Sequence, residues 1–270
     1  VRIRISQEIA YTYDSPARSV MHALRVMPRD HEGQVVVSWR IEPSVDGRLR
    51  AGEDPFGNLV HHFEADGPFD QLAIRIDGIV ETTDTTGFVR GAAELLPPPM
   101  FLRQSKLTHP DEPMILYARR LARAGVSPLQ QLHGLMDALH TEMTIEPGRN
   151  DEPAKACDAF SLRRGSPIDI AHVFCGCARE LGVPSRLVAG YLAVPEGGSA
   201  LAARHAWVEA WVDGYGWIGF DACLNLCPVD AHVRVATGID HADAAPFRVS
   251  RVGGAGERAS NALRVAAVDQ

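Results

Sequence analysis

The chain has 270 residues, of which 46% are hydrophobic and 23% charged, and a formal net charge of −7. It is long enough for two modest domains with a sizeable core, and the acidic balance argues against a nucleic-acid or anionic-membrane partner. No apolar run is long enough to span a bilayer, and the five cysteines lack C-x-x-C spacing, so they read as reduced thiols in a cytoplasmic protein.

The chain opens on Val1-Arg2-Ile3-Arg4-Ile5, which alternates as a strand does and is not a leader peptide. Val35–Ile41 and Leu72–Ile76 are further strand candidates. Asp14-Ser15-Pro16, Pro43-Ser44, Asp54-Pro55-Phe56-Gly57-Asn58 and Asp77-Gly78 read as turns between them. Several short strands at this spacing predict a β-sandwich over residues 1–94. Leu95-Leu96-Pro97-Pro98-Pro99-Met100 opens a stiff connector over 95–110, because three prolines fit neither a helix interior nor a central strand.

Helices are expected next. Asp111-Glu112-Pro113 starts one that runs to Ala124, with Gly125 as its stop, and Ser127-Pro128 starts another that runs to Thr141. Residues 144–160 read as looser. Ser166 to Leu181 is a third helix, stopped by Gly182 with Pro184 beyond. Strands follow at Ser185–Leu192, His205–Val212 and Trp217–Phe220, with turns at Gly197-Gly198-Ser199 and Asp213–Gly216. A last strand, Ala262–Val268, lies in a C-terminal segment (247–270) expected to pack back on one of the sheets. Strands, then helices, then strands is an α+β order, with the second domain over 111–246.

Several stretches together resemble the bacterial transglutaminase-like family. In the N-terminal part these are Tyr11-Thr12-Tyr13, Leu24–Arg29, Gln34, Asp54–Asn58 and Val80-Glu81-Thr82. In the second part they are Ala178–Arg186, Gly190-Tyr191-Leu192, His205–Trp211, Gly216–Asp221 and Gly238–Pro246. The resemblance covers nearly the whole chain. It implies a β-sandwich followed by a papain-like core and acyl-transfer chemistry by a Cys–His–Asp triad, with the thiol activated at a helix N-terminus. The histidine then falls on His205 and the aspartate on Asp221. The cysteine position falls on Pro167, within Gly165-Ser166-Pro167-Ile168-Asp169-Ile170-Ala171-His172.

Proline offers neither a nucleophile nor a backbone N–H for an oxyanion. One lost oxyanion donor alone typically costs about 3 kcal/mol of transition-state stabilisation. The same residues make a well-formed helix start: Ser166 as N-cap, Pro167 at the first position, Asp169 reaching back. Ser166, as cap or as replacement nucleophile, and Asp169 are candidates for orienting a substrate. Tyr191, at a strand end, is expected near the cleft mouth. Trp207, Glu209 and Trp211 share one strand face and read as core packing with a strand-edge charge, with Trp207 also a candidate for orienting a substrate. Cys175 and Cys177 lie along the helix about 12 Å or more from Pro167, and Cys223 lies just past Asp221. All three read as packing thiols, with Cys223 the nearest alternative. His172 reads as a packed histidine and His61-His62 as surface. Asp169, His172, His205 and Asp221 are the residue types of a nitrogen–oxygen metal site, but the expectation is no metal and no cofactor.

Three functions stay open. The first is an enzyme of altered, non-thiol chemistry that uses His205 and Asp221 for acid–base work on a small carbonyl or amide substrate, or a peptide. The second is a catalytically inactive module that binds a peptide or protein partner. The third is a thiol hydrolase with a displaced cysteine. Loops 143–153 and 193–204 would carry specificity.

Overall fold

The structure, a computed structural model, describes residues 1–122, 125–146, 152–193 and 204–268. The chain begins with four strands: β1 (Arg2–Leu24), β2 (Gln34–Pro43), β3 (Arg48–Glu53) and β4 (Leu59–Thr82). Next come β5 (Phe88–Val89), a 3-10 turn (Pro98–Leu102), α1 (Glu112–Leu121), α2 (Pro128–Glu142), β6 (Thr144–Ile145), α3 (Ala156–Leu162) and β7 (Arg164–Gly165). The rest is α4 (Pro167–Glu180), β8 (Ser185–Leu192), β9 (Arg204–Val212), β10 (Gly216–Phe220), β11 (His232–Gly238), α5 (His241–Ala244), β12 (Phe247–Gly253) and β13 (Arg258–Ala267).

The N-terminal sheet differs from a set of short strands. Its frame is the antiparallel pair β1 and β4, each more than twenty residues long, with β2 and β3 on β4 and with β13 and β12 on the first and second halves of β1. Register shifts between Thr12 and Ala17 and between Ala17 and Ser19 bend the pair. The two halves close on a core of Ile9, Tyr11, Val20, Leu24, Phe63, Leu72 and Ile74. Asp14-Ser15-Pro16 therefore marks a bulge inside β1, not a loop between strands. Asp77-Gly78 is likewise inside β4: a Cβ on Gly78 would stand 2.0 Å from Cε3 of Trp39, so the glycine makes room for the indole. The turn over Asp54–Asn58 forms as expected, with Asp54 Oδ1 accepting from the N–H groups of Phe56 and Asn58.

The second region is an antiparallel sheet in the order β11-β8-β9-β10-β5, packed on α4. Ala206, Val208 and Ala210 of β9 are buried in one core with Val173, Phe174 and Ala178 of α4, and Leu132, Leu135 and Leu139 of α2 join them. Ile3, Ile5, Val80, Leu263 and Val265 belong to the same core, so the N-terminal sheet and the helical region are not independent hydrophobic units. The helix starts follow from their caps. Asp111 accepts from Met114 N–H, and Ser127 forms a capping box with Gln130. α1 ends at Leu121, and α3 occupies part of the stretch expected to be loose. The proline connector contains a 3-10 turn whose Phe101 is buried edge-on against Trp217, at 5.2 Å between ring centroids.

β11 is the free edge of the second sheet, and two side-chain amides from the N-terminal region cover it. Gln34 accepts from Arg234 N–H at 2.8 Å and donates to Arg234 C=O at 2.9 Å. Asn58 does the same for Thr237, at 2.8 and 2.7 Å. Each amide satisfies one donor and one acceptor that would otherwise be unpaired on a sheet edge.

Candidate active site

α4 begins as its sequence dictates. Ser166 caps it, Pro167 takes the first position where no N–H is needed, and Asp169 completes a capping box. Asp169 Oδ2 accepts from Ser166 N–H at 2.9 Å and from Ser166 Oγ at 2.8 Å. Its Oδ1 accepts from Ala154 N–H at 2.7 Å. Both oxygens are thus committed to holding the helix start and the preceding loop. Ser166 and Asp169, expected to orient a substrate, hydrogen-bond each other in this arrangement.

His205 near the start of β9 and Asp221 just beyond β10 do meet. His205 Nε2 lies 2.5 Å from Asp221 Oδ2. A third residue, His232 at the start of β11, puts its Nε2 at 3.1 Å from the same oxygen. Asp221 Oδ1 accepts from the N–H groups of Cys223 (2.9 Å) and Leu224 (3.2 Å). The side chains are 5%, 0% and 2% exposed for His205, Asp221 and His232. Burial alone would raise the Asp221 pKa, but hydrogen bonds from the two histidines hold it well below the usual carboxylate range. The carboxylate is therefore ionised and fully coordinated by donors. His232 escaped the sequence reading because β11 was not recognised. The alternation His232-Val233-Arg234-Val235 was the available signal.

Trp207 walls this trio. Its ring stands edge-on to His232 at 5.2 Å and faces His205 at 6.3 Å. It crosses β8 at Gly190, where a Cβ would lie 2.7 Å from the indole Cη2 and 2.3 Å from the Val233 carbonyl oxygen. A cavity of about 40 Å³ behind it, lined by His31, Gln34, Thr85, Trp207, His232 and Arg234, has room for ordered water rather than a substrate.

Tyr191 is elsewhere. It is buried and donates to Gln7 Oε1 at 3.0 Å, in the seam between the two sheets and not at a cleft mouth. Glu209 is no strand-edge charge: it is fully buried on the central strand between Arg186 (2.7 Å) and Arg234 (2.8 Å). His172 is a packed histidine whose Nε2 accepts from His241 N–H. Of the pair in β4, His62 is exposed and His61 half-buried. Loop residues 147–151 and 194–203, the Gly197-Gly198-Ser199 turn and residues 123–124 lie outside the described residues.

All five cysteines are free, and burial pushes every thiol up: Cys177 to about 12, Cys223 well above the ordinary value, and Cys157, Cys175 and Cys227 upward as well. Two histidines and a carboxylate are also a donor set that transition metals use. The hydrogen bonds oppose that use here. Val229 N–H donates to His232 Nδ1 at 3.2 Å, so the ring proton sits on Nε2, which then has no lone pair for a metal.

Comparison with known proteins fits this layout. Residues 3–81 match the bacterial transglutaminase-like N-terminal region, and residues 116–222 match the transglutaminase-like superfamily core. The chain belongs to the transglutaminase-like superfamily. An uncharacterized protein of Mycobacterium leprae is 25% identical over 259 residues, covering 92% of both chains. A protein-glutamine gamma-glutamyltransferase of Pseudomonas aeruginosa is 30% identical over 138 residues, which is 45% of this chain but only 20% of that protein. The crystal structure of a candidate cysteine protease from Cytophaga hutchinsonii superposes with a TM-score of 0.78 at 20% identity, over 100% of this chain and 91% of that one. The transglutaminase-like fold is thus common to both, with its papain-like helix on an antiparallel sheet. Among the described residues no helix is long and apolar enough to cross a membrane.

Proposed function

We propose that this transglutaminase-like protein is an enzyme without a thiol nucleophile, in which His205 moves a proton for a small carbonyl or amide substrate. Pro167 stands where the superfamily thiol belongs, and the chemistry is hydrolysis, elimination, isomerisation or cyclisation without a covalent thioester. The observation that carries this reading is Asp221. Four donors surround its carboxylate, and one of them is the His205 ring. An ionised acid so held orients an imidazole and stabilises its protonated form. The raised thiols speak against a displaced cysteine, because a thiol kept protonated is a poor nucleophile. Five unpaired thiols suit a reducing compartment, and the cytoplasm is the proposed location.

The near-complete burial of His205 and Asp221 favours a second reading, a catalytically silent module that binds a peptide. One experiment separates the two. Turnover of a panel of esters, amides and α-acidic carbonyl compounds is measured for the wild type, for His205→Ala and after exhaustive iodoacetamide treatment. Turnover that survives alkylation and vanishes in His205→Ala supports the enzyme. Turnover indifferent to His205, or none on any compound, overturns it. A Pro167→Cys variant checks the position itself. A thiol at the head of α4 is expected to alkylate at pH 7 at least about tenfold faster than the native five.

A further inference from the structure

We propose that His232 is a positioning residue of this site: by donating to Asp221 it confines the proton chemistry of the trio to a single atom, Nδ1 of His205. The inference rests on the acid–base reading for its catalytic consequence, but its geometry stands apart from any activity.

The tautomers follow from the partners. A backbone N–H can only donate, so the 3.2 Å contact from Val229 makes His232 Nδ1 an acceptor and puts the ring proton on Nε2. That proton goes to Asp221 Oδ2. Oδ1 is already taken by the N–H groups of Cys223 and Leu224. An ionised carboxylate oxygen facing His205 Nε2 at 2.5 Å requires a donor there too, so His205 also carries its proton on Nε2. Its lone pair is left on Nδ1. Asp221 has no oxygen free to receive a proton, and His232 has no nitrogen free to accept one without breaking the Val229 contact. A proton taken from a substrate can therefore settle only on His205 Nδ1.

His232 is held independently of His205. Its strand, β11, is pinned at the outer edge by Gln34 and Asn58 from the N-terminal sheet. Trp207 closes one side of its ring. The nearby charges of Glu209 and Arg234 are paired with each other at 2.8 Å, in a network that Arg186 and Glu94 complete. The N-terminal sheet thus reaches the site through β11, which gives a physical reason for the two regions to be joined.

The test is ¹⁵N NMR of the imidazole nitrogens at pH 7.5 in the wild type, His232→Gln and His232→Leu. The expected wild-type result is a protonated Nε2 and a bare Nδ1 on both His205 and His232. Glutamine keeps an N–H for Asp221, so the His205 pattern is retained. Leucine removes the second donor from Asp221 Oδ2, the carboxylate draws harder on the one that remains, and the His205 Nε2 resonance moves from its wild-type position. A wild-type His205 protonated on Nδ1, or a His205 pattern in His232→Leu identical to the wild type, overturns the proposal. If His232→Leu does not fold, the wild-type spectrum and His232→Gln still decide it. Where turnover is found, His232→Leu lowers kcat by about 10²-fold, the low end of what acid–base catalysis contributes, at unchanged KM, and His232→Gln restores most of it. Spectra as expected with no turnover would leave the positioning intact and sink only the enzyme reading.

Discussion

One face of β9 carries two polar clusters side by side, and they are built on opposite principles. At Glu209 a carboxylate is gripped by Arg186 and Arg234. Arg186 also holds Glu94, just before the connector, at 2.8 Å and lies over the Trp217 ring at 3.9 Å. At His205 a carboxylate is gripped by two histidines and two backbone N–H groups. Guanidinium groups do not give up protons near neutrality, so the first cluster is fixed in charge. An imidazole nitrogen can take up and pass on a proton where a guanidinium cannot, so the second cluster includes a group able to move one. Both carboxylates are fully buried, and the difference lies in which groups face the acid.

The largest effect should come from breaking the fixed cluster. Burial alone would raise the Glu209 pKa, but Arg234 and Arg186 pull it down to about 2. Glu209→Gln leaves Arg234 without its counter-charge and Arg186 with Glu94 alone. That should cost about 3–5 kcal/mol in urea denaturation. Glu94→Gln, at the half-exposed end of the network, should cost about 1 kcal/mol or less. Equal losses from the two would show that the network is not organised around Glu209.

Acid should distinguish the proton-exchanging groups from the fixed ones. Burial lowers His22, His31 and His172 from 6.5 to about 4. Between those values the unfolded chain binds protons that the folded one refuses. Stability is therefore complete above about pH 6.5 and falls as pH drops toward 4. His22 is the cleanest probe, because neither ring nitrogen has a hydrogen-bond partner. In His22→Leu the loss between pH 7 and 4.5 should shrink, measured as Tm against pH. An unchanged slope would assign the acid sensitivity to other groups.

Gly190 links the two clusters through Trp207. A methyl there meets the Val233 carbonyl and the indole, so Gly190→Ala should cost about 1–3 kcal/mol. It should also shift the His232 ring resonances. A full stability loss with unmoved His232 signals would mean that the indole does not brace the trio.

Much of this was legible in the sequence because it is local. The caps at Asp111, Ser127 and Ser166 announce three helices, and the runs through Ser185–Leu192 and His205–Val212 announce two central strands. What was hidden is what distance decides. Asp14-Ser15-Pro16 has the composition of a turn, yet it sits in a bulge where one strand bends within a sheet. Glu209 looks like an edge charge until Arg186 arrives from β8 and Arg234 from β11, one strand further away. Tyr191 looks available until Gln7, far away in the chain, accepts its hydroxyl proton. His205 and Asp221 could be paired through the family resemblance, whereas His232 had no such guide.

The smallest expected effect addresses the head of α4 itself. Ser166 stands beside Pro167, and its hydroxyl both accepts from Asp169 N–H and donates to Asp169 Oδ2. A hydroxyl whose proton is given to Asp169 Oδ2 is not paired with a base that would make it a nucleophile. Ser166→Ala should therefore cost about 1 kcal/mol of stability and leave any turnover within about twofold at a temperature well below Tm. Ser166→Thr should recover most of the stability, because threonine caps nearly as well. A loss of turnover in Ser166→Ala that Ser166→Thr does not restore, with stability lowered no further than expected, would make Ser166 the nucleophile. The helix start would then belong to the chemistry, where the hydrogen bonds at Asp169 give it only to the fold.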